Sequence, residues 1–320
     1  MLLESVCLPN NCLIVHRLFG IILILMGSVF FRNRFLSGLG AGAFGVLVVS
    51  LGGWWFTFAL GVIVHLALLE FFRMAQFTGI RPATKTTLVA CQLLLISTQL
   101  GLNGGLSAEL NAAVLPLSGA AICGWLLLQP VTGSIADIAA SIFGLFYLGF
   151  LPSHWLKLRN LSDVNFSQGL HLLPNSLPSS VTFGMAITFV ACLMIVATDI
   201  GSYFLGISFG RHSLSPISPG KTVEGALGGF LCAMVIGAIS GEFFKWKLGF
   251  LIGGFLGAFV ALFALVGDLT ESMMKRNAGL KDSGAALPGH GGILDRIDSY
   301  LFTPAVVYYV VILLKPLLNR

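Results

Sequence analysis

Long apolar runs separated by short polar segments follow one another along almost the whole chain. Nine runs approach the length of about 20 apolar residues that a helix needs to cross the hydrocarbon core of a membrane. They are 36–52, 54–72, 86–101, 109–128, 133–152, 183–207, 225–241, 248–267 and 303–318. The runs are continuous instead of alternating with polar residues, which argues against lipid-facing strands. The pattern therefore predicts an all-α, polytopic integral membrane protein.

An earlier apolar run, 18–31, is shorter and has arginines on both sides. It is either a tenth membrane span or a helix that lies in the membrane interface. We interpret 1–33 as an N-terminal extension or extra membrane segment, and 34–320 as a single membrane-embedded domain. The portion that should carry the chemistry is 183–302.

Composition supports the membrane assignment. Hydrophobic residues make up 56% of the chain and charged residues only 10%, against about 25% charged in typical soluble domains. The net charge is +5, but the basic residues are scattered between apolar runs, which does not favour nucleic-acid binding. They are concentrated in alternate loops, so the excess of positive charge predicts that these loops face the cytoplasm.

Two polar stretches, 208–224 and 268–302, stand out in the last third of the chain. Two predicted spans separate them, so both should open on the same, cytoplasmic face. Glycines recur every three or four residues on those two spans, 225–241 and 248–267. Small residues at this spacing allow helices to pack closely in lipid, which would help to hold the two polar stretches together.

The end of the run 248–267 leads into a stripe of reactive side chains. If the helix continues, Asp268, Ser272 and Lys275 lie at i, i+4 and i+7 on one face. A carboxylate, a hydroxyl and an ammonium together suit a phosphate bound with a metal ion. The alternative is an ordinary solvated, ion-paired helix end.

The following stretch, 280–298, is rich in glycine and should break the helix and expose backbone N–H groups to an anion. A new helix is expected to start near Gly292 and to carry Asp295 and Asp298 at i and i+3. Carboxylate oxygens completed by phosphate and water are the ligands that Mg²⁺ prefers. The region therefore offers two or three carboxylate ligands from Asp268, Asp295 and Asp298.

A second candidate anion site comes from the stretch before span 225–241. Lys221 and Thr222 follow a Pro-Gly turn, and the amides at the start of the next helix can bind an anion. The glycine spacing of a P-loop is absent from the sequence, which excludes that nucleotide-binding motif. Asp199 and Tyr203 lie at i and i+4 on the preceding span, directed to the same face.

Two other acidic residues in apolar segments were given structural interpretations. Glu70 is expected to sit at a helix end and pair with Arg73, three residues later. Asp137 is expected to interact with the helix dipole in a first turn. Neither was assigned to the site.

The residues from Ser272 to Asp298 carry a family resemblance. They have the form S-x-M-K-R-x4-K-D-x-G-x2-L-P-x-H-G-G-I-x-D-R-I-D, which resembles the full signature of phosphatidate cytidylyltransferases, also called CDP-diacylglycerol synthases. Two shorter blocks agree, D-I-G-S-Y from Asp199 and S-P-G-K-T-V-E-G from Ser218. The second block has Gly220 where the family commonly has a lysine, which removes one cation.

The resemblance implies an enzyme that transfers CMP from CTP to phosphatidic acid, giving CDP-diacylglycerol and pyrophosphate. It implies Mg²⁺ as cofactor, with a second cation left open, and a homodimer in the plasma (inner) membrane with the active site facing the cytoplasm. No nucleic-acid partner is implied. By this resemblance, Asp268, Asp295 and Lys275 are the catalytic residues. It also implies that Asp268 and Asp295 hold the ion, with Asp298 as a third ligand or a supporting partner.

Substrate binding is assigned by the same resemblance to a wider set of side chains. The set comprises Asp199, Tyr203, Ser218, Lys221, Thr222, Ser272, Arg276, Lys281, Asp282, His290 and Arg296. His290 either hydrogen-bonds a phosphate or fixes the glycine-rich turn.

Two other functions are alternatives for such a sequence. A lipid-alcohol kinase that uses CTP resembles this family but generally lacks the whole long signature. A transporter would also have many spans and intramembrane carboxylates, but it predicts internal repeats and polar residues in both halves of the chain. The polar residues here are instead concentrated in two stretches on one face.

Overall fold

The structure is a computed structural model that describes residues 38–162 apart from 39 and 41, then 181–284 and 291–318. The chain divides into two compact units, Met1–Leu47 and Val48–Arg320. The second unit contains every contact discussed below.

Nine helices and one hairpin make up the described residues. The helices are α1 (Gly42–Leu51), α2 (Gly53–Phe77), α3 (Thr84–Leu102), α4 (Ala108–Leu127), α5 (Ile135–Arg159), α6 (Phe183–Phe209), α7 (Val223–Phe243), α8 (Gly249–Asn277) and α9 (Leu294–Leu318). A π-helical segment, Leu145–Phe150, interrupts α5. Strands β1 (Ser213–Ser215) and β2 (Ser218–Thr222) pair antiparallel between α6 and α7.

Eight of these helices, α2 to α9, are long and apolar enough to cross a membrane. The prediction of an all-α, polytopic membrane protein is confirmed. The predicted span 36–52 appears, among the described residues, as the short helix α1. At 1.5 Å per residue, α1 is too short to cross the hydrocarbon core by itself. The run 18–31 lies outside the described residues.

The ends of the last two helices differ from the predicted spans. Helix α8 does not stop at residue 267 but continues to Asn277, as the stripe of Asp268, Ser272 and Lys275 requires. Helix α9 begins at Leu294, well before the predicted apolar run from 303. Its polar first turns carry Asp295 and Asp298, so the expected helix start near Gly292 is confirmed to within two residues.

The stretch 208–224 was expected to be a loop with a Pro-Gly turn, and it is instead the β1–β2 hairpin. Ser213 pairs with Thr222, and Ser215 pairs with Ser218. The hairpin ends where α7 begins, because the Thr222 hydroxyl accepts a hydrogen bond from the Gly225 N–H at 3.1 Å and caps the helix. This cap fixes Lys221 directly beside the start of α7.

Glycines bring α6, α7 and α8 into backbone contact, as their spacing predicts. A Cβ added to Gly228 on α7 would lie 2.9 Å from the Gly201 carbonyl oxygen on α6. A Cβ on Gly237 would lie 2.1 Å from the Gly253 carbonyl oxygen on α8. The three helices that carry the two polar stretches are therefore packed as tightly as their backbones allow.

We expect Gly237→Ala to destabilise the protein by about 1–3 kcal/mol, because the new methyl group meets backbone that cannot move aside. The thermal unfolding midpoint of the purified protein should fall. Gly124→Ala on α4 is the matched control, since nothing lies within 4 Å of a Cβ there. Equal midpoints for the two variants would contradict the close packing of α7 on α8.

The first half of the chain is held by its own capped helix starts. Ser134 and Asp137 form a capping box at the start of α5. The Asp137 carboxylate also accepts a hydrogen bond from the Arg81 backbone N–H at 2.6 Å. The structural interpretation of Asp137 as a helix-start residue is confirmed.

Candidate active site

The two polar stretches meet at an ion pair. Lys221, at the end of β2, donates a hydrogen bond from its ammonium group to the Asp268 carboxylate on α8. Next to them, the Arg276 guanidinium donates to the Ile217 carbonyl oxygen in the hairpin turn at 3.4 Å. The expectation that both stretches lie on one face and converge is met by these two contacts.

A cavity of about 380 Å³ adjoins the ion pair. Its polar wall includes Asp199, Lys221, Thr222, Asp268 and Ser299. Its remaining wall is mainly apolar and comes from helices α6, α7 and α8. The rim includes Tyr203, whose side chain is 64% exposed on the outer surface of α6. The cavity therefore joins charged groups to the exposed surface of α6.

Burial affects the charge of Lys221. Burial lowers the pKa of the Lys221 ammonium below its ordinary value of 10.5. The negative charges of Asp298 and Asp199 oppose that shift, and the positive charge of Lys275 adds to it. Lys221 is thus within electrostatic reach of the acidic residues of both α6 and α9.

Lys275 lies deeper, between two carboxylates. Its ammonium is 2.5 Å from Glu271 on the same helix and 2.6 Å from Asp295 on α9. Only 13% of its side chain is exposed. Lys275 therefore forms an ionic tie between α8 and α9, and its catalytic role stays a prediction.

Asp295 is held by four donors. One carboxylate oxygen accepts from Lys275, and the other accepts from the Ser283 N–H at 2.9 Å, the Ser283 hydroxyl at 2.9 Å and the Gly292 N–H at 2.8 Å. These bonds close the glycine-rich stretch onto the first turn of α9. A Cβ at Gly291 would lie 2.7 Å from the same carboxylate, so this position needs a glycine.

Asp298 lies one turn further along α9, where its backbone touches α8. A Cβ at Gly267 would lie 2.3 Å from the Asp298 carbonyl oxygen, so the two helices touch at the residue before Asp268. The Asp298 carboxylate accepts a hydrogen bond from the Ser299 N–H at 2.6 Å.

The three predicted metal ligands do not form one cluster. Among the residues that the structure describes, no group of three or more His, Cys, Asp or Glu side chains could hold a metal ion. The reason is that Asp295 is turned to the glycine-rich stretch by its four donors, whereas Asp268 faces Lys221. Asp268 and Asp298 lie on the two helices that touch between Gly267 and the Asp298 backbone.

The other predicted site residues are spread around this centre. Ser272 is buried on α8, and Ser218 is paired in the hairpin. Lys281, Asp282 and Arg296 are exposed near the start of α9, and His290 lies outside the described residues.

One important acidic residue was misinterpreted from the sequence. The Glu70 carboxylate on α2 accepts hydrogen bonds from the Ser283 hydroxyl at 3.1 Å, the Ile293 N–H at 3.0 Å and the Leu294 N–H at 2.9 Å. The described residues show no ion pair between Glu70 and Arg73. The prediction that Glu70 pairs locally with Arg73 is wrong, because its carboxylate faces the start of α9 instead.

Comparison with known proteins shows the family of the chain. The sequence profile of the cytidylyltransferase family matches residues 32–314. The chain belongs to the phosphatidate cytidylyltransferase family. The match covers both polar stretches and all eight long helices, so the resemblance seen in the signature is confirmed, as is the nucleotidyltransferase class of the enzyme.

Three relatives show how far the family likeness extends. A phosphatidate cytidylyltransferase of Synechocystis is 45% identical over 295 residues, covering 90% of this chain and 99% of its own. A protein of the same name from Bacillus subtilis is 30% identical, with 88% and 98% covered. A chloroplastic phosphatidate cytidylyltransferase of Arabidopsis thaliana is 36% identical, with 87% of this chain and 72% of its own covered.

Proposed function

We propose that this chain transfers CMP from CTP to phosphatidic acid, giving CDP-diacylglycerol and pyrophosphate. The observation that carries the proposal is the cavity beside the Lys221–Asp268 pair. It combines charged groups from the two polar stretches, Lys221 and Asp268, with a mainly apolar wall. A lipid with a phosphate head group matches both the charged and the apolar lining of the cavity. The exposed cations of the two polar stretches suit a nucleoside triphosphate.

In the proposed reaction, an oxygen of the lipid phosphate attacks the α-phosphorus of CTP. A new P–O bond forms, the bond from the α-phosphorus to the bridging oxygen of the β-phosphate breaks, and pyrophosphate leaves with the electron pair. The protein contributes mainly position and charge neutralisation, as in phosphoryl transfer generally. Lys221 neutralises a phosphate in the cavity, and the exposed Arg276, Lys281 and Arg296 bind further phosphate oxygens.

Mg²⁺ is part of the proposal, with Asp268 and Asp298 as its protein ligands. Mg²⁺ typically binds one or two carboxylates and completes its shell with substrate phosphates and water. Asp268 and Asp298 lie on two helices in backbone contact, and their carboxylates would supply the protein part of such a shell. When bound, the ion supplies positive charge to the phosphate oxygens of the substrates.

Setting and assembly also belong to the proposal. The site would face the cytoplasm at the plasma (inner) membrane, because the loops near it carry the basic excess. The acyl chains would stay in lipid while CTP arrives from water. The homodimer implied by the family resemblance is retained, and light scattering of the purified protein would test it.

The decisive test uses CTP labelled at either end. Purified protein is incubated with phosphatidic acid, Mg²⁺ and CTP carrying label in the α- or in the γ-phosphate. The proposal predicts that only the α-label enters the lipid and that the γ-label leaves as pyrophosphate. Transfer of the γ-label to a lipid alcohol would instead indicate a kinase, and no labelled lipid in either case would reject the enzyme.

The lowered pKa of Lys221 predicts an early loss of rate at alkaline pH. The ammonium neutralises phosphate only while protonated, so kcat/KM should fall as pH rises through a value below 10.5. Lys221→Arg keeps its charge throughout this range and should move the alkaline decline to higher pH. Identical alkaline limbs in the wild type and the variant would contradict the assigned role of Lys221.

A further inference from the structure

Glu70 lies outside both polar stretches, yet its carboxylate accepts three hydrogen bonds from the second of them, 268–302. The partners are the Ser283 hydroxyl and the N–H groups of Ile293 and Leu294. Glu70 precedes Leu294 by 224 positions and belongs to α2, in the half of the chain without other site residues. The contact therefore joins two parts of the chain that are far apart in sequence.

The donors that Glu70 satisfies are the ones that a helix cannot satisfy itself. The first N–H groups of α9 have no partner within the helix, and a negative charge at this end also interacts favourably with the helix dipole. Glu70 is 9% exposed. Among the described residues no cation lies within ion-pair distance of it, so these donors are what stabilises its charge.

Gly284 and Gly292 lie directly against this carboxylate. A Cβ at Gly284 would lie 2.5 Å from one Glu70 oxygen, and a Cβ at Gly292 would lie 2.4 Å from the other. Contacts this short do not occur for real side chains, so both glycines are required for the carboxylate to fit. Two glycines of the family signature are thus explained by a residue outside it.

Ser283 connects Glu70 to the candidate active site. Its hydroxyl lies 3.1 Å from a Glu70 oxygen and 2.9 Å from an Asp295 oxygen. A hydroxyl has one proton to donate, so the two carboxylates share it. Through Ser283 and the first turn of α9, the position of Glu70 determines that of Asp295, and Asp295 in turn holds Lys275.

We propose that Glu70 is a positioning residue, whose carboxylate fixes Ser283 and the start of α9 and thereby holds Asp295 in place for CMP transfer. The inference rests on the proposed function. Glu70 itself contacts neither the cavity nor, in this assignment, the substrates. Its effect on the reaction passes through the residues that it anchors.

Glu70→Gln tests the proposal with little change in size. A carboxamide has one acceptor oxygen, so its NH₂ group replaces one of the two Glu70 oxygens. In one orientation the NH₂ group faces the Ile293 N–H, and in the other it faces the Leu294 N–H and the Ser283 hydroxyl. We expect kcat to fall by about 10²-fold, the cost of a small misplacement of reacting groups, while KM for CTP and phosphatidic acid changes by less than about threefold. Amide hydrogen exchange in 283–294 should become faster.

Glu242→Gln is the matched control. Glu242 also accepts a hydrogen bond from a helix-start amide, that of Phe250 at 2.8 Å, but it lies at the far end of α7. The kcat of Glu242→Gln and its amide hydrogen exchange in 283–294 should match those of the wild type. A residue that only stabilises the fold would lower the yield and thermal midpoint without lowering the kcat of the folded enzyme.

The outcomes separate this inference from the proposed function. If the wild type forms no labelled CDP-diacylglycerol, the proposed function fails. If the wild type is active and Glu70→Gln keeps kcat within about twofold, the positioning role is wrong and the function stands. Should Glu70→Gln not fold, Ser283→Ala decides, because it removes only the shared hydroxyl. We expect a loss of about tenfold in kcat, and an unchanged kcat would overturn the proposal.

Discussion

Asp268→Asn should lower kcat by about 10³-fold, the largest effect expected from any single substitution in this chain. The carboxamide has nearly the same shape but no charge. It therefore removes both the ion-pair partner of Lys221 and one of the two proposed ligands of Mg²⁺. The measurement is the rate of CDP-diacylglycerol formation at saturating CTP, phosphatidic acid and Mg²⁺.

Yield and membrane insertion of Asp268→Asn should stay close to those of the wild type, because the residue is partly exposed at the cavity and does not cap a helix. Glu109→Gln provides a control of the same kind, since Glu109 is an exposed acid in the first turn of α4. It should leave kcat unchanged. Activity of Asp268→Asn within about tenfold of the wild type would remove Asp268 from the reaction centre.

Asp295 carries the second largest expected effect, and two substitutions can separate its contributions. Asp295→Ala removes every bond to Lys275, Ser283 and Gly292. Asp295→Asn can keep an acceptor oxygen towards Ser283 and Gly292 but turns an NH₂ group to the Lys275 ammonium. Both should lower kcat by about 10²-fold or more, because the tie between α8 and α9 is lost in each.

The two variants should differ in stability. Asp295→Ala also frees the glycine-rich stretch, so its thermal midpoint should fall and amide exchange in 283–294 should become faster. Asp295→Asn should leave both properties near those of the wild type. Wild-type turnover in Asp295→Asn would show that the charge of this residue is dispensable, and the tie to Lys275 would then have no part in the reaction.

The sequence was sufficient for the architecture and for the meeting of the two polar stretches. Apolar run length alone predicts the membrane spans, and the even number of spans between residues 208–224 and 268–302 requires a common face. Glycine spacing predicts the backbone contacts of α7 with α8. These features depend on composition and period, which can be read along a single chain.

The contacts that organise the site could not be predicted in the same way. The partners of Glu70 are backbone amides more than 200 residues away, and amides are present at every position except proline. A basic neighbour, Arg73, offered a simpler local explanation that the fold does not use. The donors to Asp295 could not be predicted either, because carboxylate spacing does not reveal which donors a folded loop will supply. Its role as a metal ligand stays a prediction.

The β1–β2 hairpin is a similar case. Its strands are too short, and too rich in Ser, Pro and Gly, for any alternation to predict pairing. Only the helix cap could have been predicted, because a threonine shortly before an apolar run is a typical N-cap. The place of Lys221 beside a helix start was nevertheless predictable, because it closely precedes a helix that the apolar pattern does predict.

Cross-linking in the membrane tests most directly whether the hairpin and the end of α8 form one centre. With the six native cysteines replaced, Lys221→Cys is combined with Asp268→Cys and treated with a short bifunctional maleimide, and the linked peptides are identified by mass spectrometry. The account predicts efficient linkage of this pair and none between Lys221→Cys and Lys245→Cys, which lie at opposite ends of α7. Failure of the 221–268 pair to link while both cysteines react singly with maleimide would contradict the convergence on which the proposed enzyme depends.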